Sequence, residues 1–260
     1  MYITRVASPT VQKACRRFLA QNPIANGLVL GDLYSPLFQL SEVYCAKEDR
    51  KIVGTCSIYR AYKTPSVVFA ATTKEIKQVL IKKALSKVAN EFVSLCEPKE
   101  VSLFEKHASV IENRHEQQMV TNHPKQIKNG NVPVERVSKD ELPLLNQFYV
   151  EHHSGAWTQL QFKVGPYYCV KQDHKIVSAA GVHVVTPQTA QLGNIITDEA
   201  YRNRGYATAC TGALASHLSV SGRVISLFVR TDNAPAIRMY EKLGFRKKRE
   251  IAFLFLRKNP

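Results

Sequence analysis

Nothing in this 260-residue chain approaches the roughly 20 uninterrupted apolar residues that a membrane-spanning helix needs, so no membrane partner is expected. The opening Met1-Tyr2-Ile3-Thr4-Arg5 lacks the apolar run of a secretory signal. No two cysteines have C-x-x-C spacing, because Cys15, Cys45, Cys56, Cys96, Cys169 and Cys210 lie far apart. That scatter fits neither a disulfide framework nor a zinc site, and it predicts reduced, buried thiols in a cytoplasmic protein. The neighbouring His152-His153 has no second ligand cluster at zinc spacing, so no metal is expected.

What is present is ordinary in amount, at 45% hydrophobic and 22% charged residues, with an excess of positive charge. The net charge of +15 suggests a polyanionic partner, but it is spread evenly. Residues 1–130 hold 19 Lys and Arg against 11 Asp and Glu, and residues 131–260 hold 17 against 10. With no basic arm, nucleic acid is disfavoured as a main partner. Such a field also attracts a small ligand carrying several phosphates.

The organisation shows in a repeat. Tyr44-Cys45-Ala46-Lys47-Glu48-Asp49-Arg50-Lys51-Ile52-Val53 matches Tyr168-Cys169-Val170-Lys171-Gln172-Asp173-His174-Lys175-Ile176-Val177 at seven of ten positions. Both stretches read as a β-hairpin. Each follows a short strand and a helix opened by small polar residues, Ser8 in one copy and Ser138 with Glu141 in the other. Near the end of each copy, Val93-Ser94-Leu95-Cys96 parallels Ile225-Ser226-Leu227-Phe228, and Phe104-Glu105-Lys106 parallels Tyr240-Glu241-Lys242. Three correspondences in one order predict a duplicated domain, 1–125 and 126–260. The joint falls near 122–132, where Asn122-His123-Pro124 and Lys128-Asn129-Gly130-Asn131-Val132-Pro133 supply turn chemistry.

Each copy reads as α/β, a mixed antiparallel and parallel sheet flanked by helices. In the second copy the pattern predicts strands at 132–137, 166–172, 175–185, 190–197 and 223–230. Helices are predicted at 139–152, 206–219 and 234–243, the last closed by Gly244, and a final strand pair within 245–257. In the first copy Ile76, Leu80, Ala84, Val88 and Phe92 fall on one face of a helix predicted over 74–93.

Between the strand ending in Ile195-Ile196-Thr197 and the next helix stands Arg202-Asn203-Arg204-Gly205-Tyr206-Ala207. Consecutive backbone N–H groups at the positive end of a helix make an anion cradle, and small residues at 205 and 207 let a phosphate approach the main chain. Further on comes Asn233-Ala234-Pro235-Ala236-Ile237-Arg238-Met239-Tyr240-Glu241-Lys242-Leu243-Gly244-Phe245. In order and spacing these two segments resemble the Gcn5-related N-acetyltransferase (GNAT) superfamily, especially its FR47-like branch. The specific match covers about residues 165–256, and the first half joins it through the repeat.

The resemblance implies two tandem GNAT-like domains and transfer of an acyl group from acetyl-CoA, or another acyl-CoA, to an amine. It implies that the main chain of Ile195, Ile196 and Thr197 pairs with the pantetheine arm. It implies a pyrophosphate held by Arg202, Asn203, Arg204, Gly205, Tyr206 and Ala207 with Thr208, and a cofactor contact from Asn233. Tyr240 corresponds to the tyrosine that protonates the departing thiolate. Asn233 also reads as a helix N-cap and Tyr240 as a packed ring. The repeat favours the acid role, because the counterpart of Tyr240 is Phe104, in a copy that also lacks the loop. There Ala70-Ala71-Thr72-Thr73 runs into Lys74 without a glycine, so the first domain reads as degenerate.

The strand position where some relatives carry a glutamate base falls near Gln191, which does not titrate. His183, Glu151, His152, His153 and Glu199 are the remaining base candidates. Trp157, the single tryptophan, is a candidate for the acceptor pocket or for core packing. The acceptor, a small molecule or a peptide, and the oligomeric state are left open. A CoA-binding regulatory module without turnover, or an acetyltransferase associated with nucleic acid or ribosomes, are the alternatives.

Overall fold

The computed structural model describes residues 1–125 and 132–259. The turn residues Lys128, Asn129, Gly130 and Asn131 lie outside them. The chain forms two compact units, Met1–Gln117 with the C-terminal residues from Arg249, and Gln118–Lys248. Among the described residues no helix is long and apolar enough to cross a membrane.

Unit 1 comprises β1 (Tyr2–Arg5), α1 (Pro9–Leu19), α2 (Gly27–Gly31), β2 (Ser41–Glu48), β3 (Lys51–Tyr59), β4 (Ser66–Ala71), α3 (Lys74–Leu85), β5 (Glu91–Cys96), α4 (Val101–Glu105) and much of β6 (Ala108–Thr121). Unit 2 takes the end of β6, then β7 (Val134–Arg136), α5 (Leu142–Glu151), β8 (Tyr168–Gln172), β9 (Lys175–Val185), β10 (Thr189–Thr197), α6 (Tyr206–Ser219), β11 (Val224–Arg230) and α7 (Ala234–Lys242). The last strand, β12 (Arg246–Lys258), enters unit 1 from Arg249 onward. Sheet order is β1-β2-β3-β4-β5-β12 in unit 1 and β6-β11-β10-β9-β8-β7 in unit 2.

The boundary expected at 125/126 keeps each strand with its own half. The contacts instead give unit 1 the end of the chain. Ala252 pairs with Cys96, Leu254 with Ser94 and Leu256 with Phe92, and all three β12 side chains are buried in the unit 1 core. The expected strand pair within 245–257 is this one strand, since Arg246–Lys258 contains no Gly, Pro, Asn or Asp to turn on. The helix expected over 74–93 stops at Leu85, because Phe92 and Val93 are taken by pairing with Leu256 and Phe255.

The repeat is carried into the backbone. Each hairpin turns on two non-glycine residues at positive φ, Asp49 (46°) with Arg50 (67°) and Asp173 (48°) with His174 (62°), the combination a type I′ turn requires. Each also slips register at the same place, between Ala46 and Lys47 and between Val170 and Lys171. Ser8 caps α1 by accepting the Val11 N–H at 3.3 Å, and the Glu141 carboxylate accepts the Ser138 N–H at 2.8 Å.

Each sheet is covered on both faces. In unit 1, Ile76, Leu80 and Ala84 of α3 pack with Cys56 and Ile58 on one side, and Cys15 and Leu19 of α1 pack with Val43 and Cys45 on the other. In unit 2, Cys210, Leu214 and Leu218 of α6 cover Val182 and Leu192, while Leu145 and Tyr149 of α5 cover Cys169 and Ala179. All six cysteines are free and buried.

Candidate functional site

In both units a parallel pair of strands begins together and then parts. β10 pairs with β11 only through Thr189, Ala190 and Gln191, although β10 continues to Thr197. In unit 1, β4 pairs with β5 only at Ser66 and Val67. Among the described residues, the divergence in unit 2 leaves Leu192–Thr197 without a registered partner on the β11 side. Ile196 and Thr197 remain tied to β9 opposite Ala179 and Ser178.

Two irregularities sit at the fork. The register between β9 and β10 shifts between Gln191 and Leu192, and again between Gly193 and Ile196. Asn194 occupies the second at φ 53°, a left-handed conformation that asparagine tolerates better than most residues. Its groups are held on several sides. The Tyr149 hydroxyl donates to the Asn194 carbonyl at 2.6 Å, and the Ser154 hydroxyl donates to its side-chain oxygen at 3.2 Å. Its amide nitrogen donates to Gln161 at 2.9 Å and to the Tyr167 hydroxyl at 3.2 Å. Asn194, Gln161, Tyr149 and Tyr167 are all buried, so their polar atoms require these partners. Trp157 packs beside them, its ring 4.5 Å from Tyr149 and 5.3 Å from Tyr167, and donates to Asn146 at 3.1 Å. Asn194 did not stand out in the sequence. The available signal was a Gly-Asn pair between the apolar Leu192 and Ile195-Ile196 of the strand.

Beyond β10, Asp198 accepts the Ala200 N–H at 2.9 Å and opens the turn into the loop. Arg202, Asn203 and Arg204 are exposed, and Asn203 has φ 62°. Arg202 pairs with Glu199 at 3.0 Å, and Arg204 lies over the Tyr201 ring. Gly205, at φ 78°, is the residue before α6 and has no side chain with which to cap it. The first turn of α6, Tyr206-Ala207-Thr208, holds no acidic residue. The equivalent helix of unit 1 differs on both counts. Thr73 caps α3 by accepting the Ile76 N–H at 3.3 Å, and Glu75 stands in its first turn. One helix start satisfies its own amide and carries a negative charge, whereas the other presents uncapped amides at its positive end.

On α7, Asn233 accepts the Ala236 N–H at 3.2 Å, so its side-chain oxygen serves as the helix cap. Tyr240 is 6% exposed and meets Phe245 edge-on at 6.0 Å. Burial alone raises its phenol pKa, keeping the hydroxyl protonated throughout the physiological range. Its counterpart Phe104 is equally buried, against Phe69.

The base candidates separate sharply. Gln191 is buried between Val184 and Ser226. Glu151 accepts from Gln147, Glu199 is engaged by Arg202, and His153 is exposed. His152 stands 2.7 Å from the Phe148 carbonyl and 3.3 Å from Asp198. His183 alone among them has a ring atom enclosed without a hydrogen-bond partner, its Nε2. Burial also pushes the Cys210 thiol up to about 12, which leaves it inert as a nucleophile.

Residues 172–254 match the family model described as FR47-like protein. No curated protein matches the sequence. Among solved structures, a Drosophila protein superposes with TM-score 0.75 at 12% identity, covering 99% of this chain and 98% of its own. A tandem GNAT protein from the clavulanic acid biosynthesis pathway gives TM-score 0.64 at 10% identity over 100% and 99%. A GCN5-related N-acetyltransferase from Sphaerobacter thermophilus gives 0.61 at 14% identity over 99% and 96%. At such identities the likeness is one of fold, and the family model supplies the branch. The chain thus has a tandem GNAT fold, and its residues 172–254 match the FR47-like family model.

Proposed function

We propose that unit 2 transfers an acyl group from an acyl-CoA, acetyl-CoA in the first instance, to an amine. The observation that carries this reading is the fork between β10 and β11, ending at the uncapped start of α6. An extended arm fits along the edge that β11 leaves, and a pyrophosphate fits the amides of Tyr206, Ala207 and Thr208, where the helix dipole favours an anion. Arg202 and Arg204 add positive charge at the rim. Charge-assisted hydrogen bonds of this kind are worth about 1.5–3 kcal/mol each. Unit 1 has the fork but a capped, acid-bearing helix start, so it serves as a companion domain and not as a second acyl-CoA site.

The reaction is direct attack of a neutral amine on the thioester carbonyl, with proximity as the main contribution. Backbone donors around Ile195–Thr197, fixed by the Asn194 network, face the developing oxyanion. The Tyr240 phenol, kept protonated by burial, is a donor for the departing thiolate. Asn233, already used as a cap through its oxygen, has its amide nitrogen to offer the cofactor. The acceptor is a small-molecule or peptide amine, and a cytoplasmic location fits the six free thiols.

Calorimetry with acetyl-CoA and longer acyl-CoAs, followed by thiol release over a panel of amines, tests the reading. Micromolar binding with amine-dependent thiol release is expected. Binding without release in any amine would leave a CoA-binding module, and no binding would overturn the assignment of the loop.

A further inference from the structure

The proton that leaves the attacking amine needs an acceptor, and the geometry points to His183. We infer that His183 is the general base of unit 2, taking the amine proton at Nε2 directly or through one water. The inference rests on the acyl transfer proposed above and supplies the residue that sequence comparison leaves unassigned.

His183 lies at the first of the two irregularities. Val182 stands opposite Leu192 and Val184 opposite Gln191, so His183 is the additional residue of a bulge. A bulge turns its side chain away from the direction strand alternation would give. The ring here lies across Gly193 so closely that a Cβ at that position would overlap it, which accounts for glycine in this strand. Gly193 is two residues beyond Gln191, where pairing with β11 ends. The imidazole therefore lies over β10 just beyond the level at which its pairing with β11 ends, against the residue before Asn194.

The surroundings suit a neutral base. Neighbouring elements present the Asn194 carboxamide from β10, the Tyr167 phenol from the segment before β8, and the Gln161 carboxamide that Asn194 engages. Burial lowers the imidazole pKa from its ordinary 6.5, the Asn194 side chain opposes that shift, and no charged side chain contributes. Nε2 is buried and, among the described residues, has no hydrogen-bond partner. An unpartnered buried nitrogen is a cost without a return in a merely structural histidine. A substrate N–H would satisfy it.

The step balances. The amine lone pair forms the N–C bond and the C–S bond breaks with its electrons on sulfur. One N–H proton passes to His183 Nε2, and the thiolate takes one from the Tyr240 phenol. Proton exchange with solvent then returns both residues to their starting states.

The test is the pH dependence of kcat/KM for the full-length protein and His183→Gln, with acetyl-CoA affinity by calorimetry and folding by circular dichroism. With rates referred to the concentration of neutral amine, wild type should lose activity as pH falls through a single ionisation below 6.5. His183→Gln should bind acetyl-CoA within a few-fold of wild type, lose that acid limb and turn over about a hundredfold more slowly. Should the variant fold poorly, NMR titration of the His183 imidazole in wild type must reproduce the kinetic ionisation. A His183→Gln protein that keeps both rate and acid limb, or an imidazole titrating elsewhere, overturns the assignment while leaving acyl transfer intact. Absence of thiol release in wild type with every amine overturns both.

Discussion

The Tyr149 hydroxyl on α5 donates to the main-chain carbonyl of Asn194 at 2.6 Å, linking a helix to the irregular point of a strand 45 residues away. Both groups are buried, and burial also raises the Tyr149 phenol pKa, so the bond stays intact at any working pH. It fixes the peptide plane before Ile195, on which the proposed oxyanion contact depends.

Tyr149→Phe tests that dependence. Removing the hydroxyl leaves a buried carbonyl unsatisfied and should cost about 1–3 kcal/mol in urea unfolding. Acyl transfer should fall in kcat more than in acetyl-CoA affinity. An equal loss in both would mean that the bond serves stability alone.

Gly205→Glu addresses the phosphate cradle. The new side chain must adopt φ 78° and places a carboxylate at the start of α6. Acetyl-CoA binding by calorimetry should disappear while circular dichroism shows a folded chain. Retained affinity would refute the cradle.

Tyr240→Phe separates ring from hydroxyl. Phe104 shows that a phenyl ring packs at the corresponding place in unit 1, so stability should change little. Acetyl-CoA affinity should stay within a few-fold and turnover should drop at least about tenfold. Undiminished turnover would assign Tyr240 to packing.

Asp32, in unit 1, predicts a pH dependence of stability. It is 6% exposed, and burial pushes its carboxyl from 3.8 up to about 7. Between these values the folded chain holds a proton that the unfolded chain has released, so stability falls as pH rises from about 4 to 7. Asp32→Asn removes the penalty. It should stabilise the protein by an amount on the order of 4 kcal/mol at pH 8, with the gain vanishing near pH 4. Urea titrations at the two pH values measure the difference, and a gain independent of pH would contradict the account.

Much of the molecule was written in short stretches of sequence. The hairpins at 44–53 and 168–177 followed from turn residues and alternation, and the Asp49-Arg50 and Asp173-His174 backbones repeat each other within a few degrees. Gly244 closes α7 at φ 90°, as its position after an apolar helical face predicted. Gly205 precedes α6 for a local reason as well, since few other residues tolerate that conformation.

Other features were settled by residues distant in sequence. The destination of β12 depends on Ala252, Leu254 and Leu256 finding Cys96, Ser94 and Phe92, a pairing across about 160 residues that no local preference encodes. The apposition of His183 and Gly193 arises from a register slip between strands, and the Asn194 network gathers partners from α5, the turn at Gln161 and the segment before β8. The sequence by itself determined the repeat, the turns and the glycine-bearing loop before α6, because each rests on backbone preferences within a few residues. Tertiary structure alone decided which strand completes unit 1 and which histidine stands at the fork, because burial and strand register are set only when distant segments compete for the same partners.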